Sequence, residues 1–151
     1  GPNLAKEIHA GKAAAAVISM VDKTIAKKLQ TVFSSGLFRV YTNTDVIGSE
    51  LGGALKNVMA IAAGMGDGAN AGDNTRSALI TRGLSELTRL GTAMGGKNRT
   101  FAGLTGLGDL IATCSSSKSR NHHVGVQLGK GEKLETIMNN MNEIAEGVKT
   151  T

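Results

Sequence analysis

The stretch "DVIGSELGGALKNVMAIAAGMGDG", Asp45 to Gly68, constrains the fold more than any other part of the sequence. Taken in steps of four it reads Gly48, Gly52, Lys56, Ala60, Gly64. Residues four apart share one face of an α-helix, so a helix here carries a ridge of very small side chains with one lysine at its centre. Such a ridge lets another backbone approach closely. Lys56 then has two readings. In one, its aliphatic stem lies on apolar surface and the amine reaches water. In the other, the amine works as a general acid or base in a cleft, and its small neighbours make room for a bound molecule. Spacing alone leaves both open.

The flanking segments divide the chain into an α/β part and a helical part. "AAAAVISM" (Ala13 to Met20) suits strand or helix equally, because periodicity cannot separate them in so short an apolar run. "DKTIAKKLQTVFSSG" predicts an amphipathic helix with Asp22 near its start, Ile25, Leu29, Val32 and Phe33 on its apolar side, and Gly36 closing it. "LFRVYTN" alternates with β-branched and aromatic residues and predicts a strand. From Thr44 onward no strand is expected. Thr44 or Asp45 should cap the Gly/Ala helix, and "GMGDGANAGDNT" reads as a glycine-rich loop. A second long helix follows in "NTRSALITRGLSELTRLGTAMGG", with Ala78, Leu79, Leu84, Leu87 and Met94 inward and a stop at Gly95-Gly96. Shorter helices are expected around Gly106–Cys114, Ser119–Leu128 and Leu134–Met141. The expected fold is predominantly α, a helical bundle joined to a small α/β edge, divided at residues 1–43 and 44–151.

Composition narrows the function. A chain of 151 residues can bury a core of its own. Glycine supplies 21 of them, twice the usual ~7%. Aromatics are 3%, with no Trp, which disfavours the stacking platforms of single-strand nucleic-acid binders. The net charge of +5 favours anionic ligands, but the basic residues form no long run, so no nucleic-acid partner is expected. No apolar run reaches the ~20 residues of a membrane helix, and no signal peptide is visible, so the expected setting is cytoplasmic, without membrane insertion. The lone Cys114 rules out an internal disulfide and reads as a buried, inert thiol. With no initiator Met, a "GP" start suggestive of a tag-cleavage scar and an end that lacks a cap or polar tail, a fragment is expected.

Two glycine motifs fail as nucleotide sites. "GMGDGANAGDNT" lacks the GK[ST] of a phosphate loop, and "GLTGLG" (Gly103 to Gly108) has neither the spacing nor the preceding strand of a dinucleotide fingerprint. The second polar cluster is "GDLIATCSSSKSRNHH". Asp109 and Thr113 are four apart and share a face if the segment is helical. Arg120 offers a planar fork for phosphate or carboxylate, with Ser119 and Asn121 as neutral donors beside it. A polar helix–loop–helix connection explains the same residues without function. His122 and His123 are adjacent, nothing is spaced to complete a metal site, and neither receives a role.

Taken in order, "RVYTNTDVIGSELGGALKNVMAIAAGMGDG", "GDNTRSALITRGLSEL" and "GLTGLGDLIATCSSSKSRNHHVG" closely resemble the bacterial NAD(P)-dependent glycerol-3-phosphate dehydrogenases. "GPNLAKEI" and "NEIAEGVKTT" match the same family at the two ends, so the resemblance spans essentially the whole chain. It implies interconversion of dihydroxyacetone phosphate and sn-glycerol 3-phosphate by hydride transfer with NADH or NADPH, feeding phospholipid synthesis. The implied fold is a helical substrate domain of the type that ends 6-phosphogluconate dehydrogenase, preceded by the end of a Rossmann-type domain. The lysine of "GALKN" is the family's proton donor and acceptor, which carries to Lys56. The implied substrate residues are Gly1, Asn3, Lys56, Asn57, Asp109, Thr113, Ser119, Arg120 and Asn121. The implied cofactor contacts are Ala5, Arg120, Ile144 and Glu146, with NAD or NADP as cofactor, no metal, and a homodimer among the expected assemblies. Many members carry Ser or Thr where this chain has Asn3. On this reading the ridge around Lys56 is small because a phosphorylated three-carbon substrate and the nicotinamide fit beside it.

The family's opening strand–GxGxxG unit is absent from this sequence, and so are the last helices of its substrate domain. The chain alone is therefore expected to be inactive. β-Hydroxyacid dehydrogenases share a similar helical domain, but their catalytic lysine is followed four residues later by Asn, where this chain has Ala60. A reading from another class is a non-enzymatic anion-binding or oligomerisation module, using Arg120 for an anion and the Gly/Ala ridge for packing.

Overall fold

The structure, a computed structural model, describes residues 1–141 and 144–150. A short helix α1 (Ala5–His9) precedes a β–α–β unit of β1 (Ala14–Ser19), α2 (Lys23–Phe33) and β2 (Phe38–Asn43). Among the described residues every regular element after β2 is helical: α3 (Val46–Gly68), α4 (Gly72–Ala93), α5 (Asn98–Phe101), a π-helical turn at Leu104–Gly108, α6 (Asp109–Ser115), α7 (Arg120–Gly129), α8 (Leu134–Asn139) and α9 (Gly147–Thr150). The ambiguous alanine run resolves as a strand because it has a partner. β1 and β2 pair in parallel, from Ala14 opposite Phe38 to Ser19 opposite Asn43, whereas so short a segment makes at best a marginal helix.

α2 begins where expected: the Asp22 carboxylate accepts from the backbone N–H groups of Thr24 and Ile25 at 2.8 and 3.0 Å. It ends earlier than Gly36, at Ser34, whose extended backbone (φ −72°, ψ 134°) turns the chain toward β2 without a left-handed residue. Its apolar side is also not covered. Ile25, Val32 and Phe33 are exposed, Leu29 is half-buried, and the residue buried against the sheet is Ala26.

One buried carboxylate ties the sheet to the helices. Asp45 Oδ1 caps α3 by accepting from Gly48 N–H at 3.0 Å. Its Oδ2 accepts from Lys97 N–H at 2.7 Å and from the Thr100 hydroxyl at 2.6 Å. Asn43, the last residue of β2, completes the knot by donating to Thr100 Oγ1 at 3.1 Å and accepting from Asp45 N–H at 3.1 Å. Burial pushes the Asp45 carboxyl up, but the bonds from Thr100, Gly48 and Lys97 outweigh it and hold the group below the usual carboxylate value.

α3 runs five residues past the expected loop boundary at Gly64, and the glycine-rich loop shrinks to the turn around Asn70 (φ 57°) and Gly72 (φ 82°). Interior glycines weaken a helix by about 1 kcal/mol each relative to Ala, but here they are contact points. Gly64 and Gly68 lie against Gly125 and Gly129 of α7. A methyl group on Gly125 would stand 2.9 Å from Gly64 Cα, and one on Gly68 would stand 3.0 Å from Gly129 Cα. Lower on α3, Gly52 faces the π-helical turn, where a Cβ would lie 2.8 Å from the Thr105 carbonyl oxygen.

The inward face of α4 is likewise set by glycine. Leu87 is buried and Leu84 half-buried as expected, but Ala78, Leu79 and Met94 are exposed. Gly83 and Gly91 occupy the inner face instead, against Met59 and the Phe101 ring. The helix stops as expected at Gly95, which has φ 99°. Two clusters of buried side chains form within the core, one of Ala60, Ala63, Leu110 and Cys114 and one of Val124, Ile137 and Ala145, and Phe101 and Leu87 are its largest fully buried side chains.

Two stability outcomes are expected in the longest natural polypeptide that carries this sequence. Gly125→Ala forces α3 and α7 apart and lowers unfolding stability in urea by about 1–3 kcal/mol. Asp45→Ala removes a cap and two cross-links, a loss of about 2–4 kcal/mol. Because folding depresses the Asp45 carboxyl, its contribution is present in full above its ordinary value, near 3.8, and is lost as pH falls through the lower folded-state value. The alanine variant should therefore lose less stability than the parent over that acid range.

Candidate active site

Gly52 has a consequence beyond packing. Because it carries no side chain, the π-helical turn lies directly on α3, and the chain leaves that turn into α6 with Asp109 as the first α-helical residue. Asp109 is only 7% exposed, and a carboxylate at that depth needs partners. Its Oδ1 lies 2.6 Å from Lys56 Nζ. Its Oδ2 accepts from the nitrogen of Gly1, the amino terminus of this chain, at 3.1 Å. Thr113, one turn along α6, donates to the Asp109 carbonyl at 2.6 Å and lies 3.4 Å from Oδ1. Gly1 reaches this point because the opening turn runs along β1: Ala15 N–H bonds to the Pro2 carbonyl at 3.2 Å, and a Cβ on Gly1 would meet the Ala15 carbonyl oxygen at 2.7 Å. Lys56 is thus a largely buried, paired amine, with 19% of its side chain accessible.

A cleft of about 370 Å³ opens beside this pair. Lys56, Asn57, Asp109, Thr113, Ser119, Arg120, Asn121, Asn3 and Glu146 all line it, so nine of the residues singled out in the sequence meet in one place. Gly1 reaches the cleft through Asp109. Ala5 and Ile144 do not line it; both are exposed, Ile144 at 61%.

α7 supplies the third side. Ser119 caps that helix by accepting from His122 N–H at 3.3 Å. Arg120 pairs with Glu146 at 2.9 Å. Asn121 Oδ1 accepts from Gly147 N–H at 2.9 Å, and the residue lines the cleft.

Leu4, Gly53, Ala112 and Lys118 also line the cleft and were not singled out as site residues. Lys118 immediately precedes the Ser119–Asn121 cluster and pairs with Glu7 at 2.6 Å; its adjacency was the available signal. Gly53 is the glycine that opens space. A Cβ there meets nothing within 4 Å, whereas Gly48, Gly52 and Gly64 of the ridge all touch protein. The ridge is therefore chiefly a packing surface, and the room beside Lys56 comes from Gly53, one step off it. Cys114 lies behind the site, fully buried, and burial pushes its thiol up to about 12 against the opposing charge of Lys56, consistent with an inert group.

A second, larger cleft of about 690 Å³ lies between α2, the end of β2 and α5, lined by Lys23, Lys27, Lys28 and Arg99 among others. None of the site residues expected from the sequence lies there, and its cations are on the surface. The smaller cleft is the better chemical candidate because it joins a buried ion pair to a guanidinium fork. No group of three or more His, Cys, Asp or Glu side chains among the described residues is arranged to hold a metal ion.

Comparison with known proteins gives a consistent result. The family described as NAD-dependent glycerol-3-phosphate dehydrogenase C-terminus matches residues 45–151. A glycerol-3-phosphate dehydrogenase, NAD(P)+, of Sphingopyxis alaskensis is 67% identical over 99% of this chain and 45% of its own length. One from Mycobacterium bovis is 56% identical over 99% of this chain and 44% of its own. The crystal structure of glycerol-3-phosphate dehydrogenase from Coxiella burnetii superposes with a TM-score of 0.96 at 42% identity, covering 99% of this chain and 46% of that one. The chain thus spans less than half the length of these relatives. With its helical bundle, its parallel strand pair and this match along nearly all of its length, the chain belongs to the NAD(P)-dependent glycerol-3-phosphate dehydrogenase family.

Proposed function

We propose that the protein containing this chain interconverts dihydroxyacetone phosphate and sn-glycerol 3-phosphate with NAD(P)H, that residues 44–151 hold the substrate, and that residues 1–43 end the dinucleotide domain. The observation that carries this reading is the Lys56–Asp109 pair, 2.6 Å apart, in the same cleft as Arg120. Reducing a ketone by hydride requires a proton at its oxygen. Lys56 is the donor in that direction and takes the hydroxyl proton in the reverse one. Asp109, 2.6 Å from the Lys56 nitrogen, orients the amine.

Arg120 binds the substrate phosphate through its planar fork, with Ser119 and Asn121 beside it. Asn3 and Asn57, which line the same cleft, would bond the remaining oxygens. The bound cofactor supplies or accepts the hydride. Arg120 and Glu146, which pair at 2.9 Å and line the cleft, would supply polar contacts to the cofactor, and the exposed Ala5 and Ile144 would add contacts outside the cleft. This chain has no GxGxxG unit, so it furnishes one wall of the cofactor site. The product would serve phospholipid synthesis, as the family resemblance implies.

Steady-state kinetics of the longest natural polypeptide test the assignment. Lys56→Met should lower kcat for dihydroxyacetone phosphate reduction by about 10²–10⁴-fold. Arg120→Lys keeps the charge and loses the fork, so it should raise KM for dihydroxyacetone phosphate by about ten-fold. Near-normal turnover by the Lys56 variant would refute its role and favour the anion-binding module.

A further inference from the structure

Beside the turn that carries Arg120 lies a buried contact that the proposed chemistry does not use. Asp67 lies in the last turn of α3, and its Oδ2 is 2.7 Å from His122 Nε2 in the first turn of α7. Both side chains are largely buried, at 16% and 10% exposure. Arg76, in the first turns of α4, holds the same carboxylate through Nε, 2.9 Å from Oδ1 and 3.2 Å from Oδ2. Burial pushes the Asp67 carboxyl up, but the bonds from Arg76 and His122 prevail and keep it below the usual value, so it faces α7 as an anion.

The glycine contacts between α3 and α7 fix how closely the two helices approach. They act by shape alone, through close contact of backbone on backbone. The bond from His122 to Asp67 is directional, and it acts on the residue immediately after Ser119, Arg120 and Asn121. Lys56 stands on the same α3 helix as Asp67, so this bond links the helix of the amine to the turn that carries the guanidinium.

Resting on the function proposed above, we infer that the Asp67–His122 pair is a positioning device: it sets the first turn of α7 against α3, and so places the Arg120–Asn121 anion-binding turn relative to Lys56. His122 and Asp67 do not line the cleft. They act through Arg120 and Asn121. A displaced turn weakens the hold on the phosphate in the ground state and the transition state alike, which raises KM and leaves kcat nearly unchanged.

The test compares His122→Leu, which removes the donor, with His122→Gln, whose amide can still donate to Asp67, in the longest natural polypeptide. His122→Leu should raise KM for dihydroxyacetone phosphate by about five- to twenty-fold with kcat within about two-fold, and His122→Gln should restore KM to within about two-fold of the parent. The nearly isosteric Asp67→Asn should act in the same direction as His122→Leu and carries the test should the leucine variant fail to fold. Calorimetric titration with inorganic phosphate reads the same turn without catalysis: affinity should fall in the leucine variant and return in the glutamine one. That titration separates failure of this inference from failure of the dehydrogenase reading, which would appear as no turnover by the parent. A folded leucine variant with parental KM and phosphate affinity, even with lower kcat or Tm, would overturn the inference, as would a glutamine variant as impaired as the leucine one.

Discussion

Between α3 and α7 the backbones meet with almost nothing between them. Gly64 and Gly68 on one helix face Gly125 and Gly129 on the other, so closely that a methyl group on Gly125 would stand 2.9 Å from Gly64 Cα. The same economy recurs where Gly52 admits the π-helical turn and where Gly83 and Gly91 admit Met59 and Phe101. These contacts explain why a chain with 3% aromatics still builds a core. Close backbone approach substitutes for large side chains, and dispersion over many short contacts replaces the area an aromatic residue would bury.

That packing brings the polar groups together and requires them to be satisfied. Asp45, Asp67 and Asp109 are each drawn in where helices converge, and each is held by partners from other elements: Lys97 and Thr100, Arg76 and His122, Lys56 and Gly1. No buried side-chain nitrogen or oxygen among the described residues lacks a partner. Two of these carboxylates fasten one element to another. Asp109 also meets a cleft, and there the same bond that satisfies a buried charge holds an amine beside open space.

Much of this was legible in the sequence, for local reasons. Asp22 and Asp45 announce helix starts, Asp109 and Thr113 are one turn apart, and Ser119 to Asn121 are neighbours, so spacing alone grouped them. The link from Lys56 to Asp109 spans 53 positions, 109 minus 56, and came from the family resemblance, not from periodicity. Composition failed on the glycines. It marks a residue without a side chain and does not say whether another backbone lies against it, so the end of α3 reads as a loop, and along the ridge close backbone approach and room for a bound molecule both stay open until the structure shows the first at Gly52 and Gly64. Spacing assigns His122 no role for the same reason. Its partner lies 55 residues away, and nothing local distinguishes a histidine that anchors a helix from one that faces water.

The central claim is that Lys56, held by Asp109, faces the reacting oxygen while Arg120 holds the phosphate. A crystal structure of the longest natural polypeptide with dihydroxyacetone phosphate and its nicotinamide cofactor tests it most directly. The account predicts the substrate carbonyl oxygen within hydrogen-bond distance of Lys56 Nζ, about 2.6–3.2 Å, with the phosphate on Arg120 and Asn121. A substrate bound the other way round, with its phosphate on Lys56, or bound outside this cleft, would contradict it.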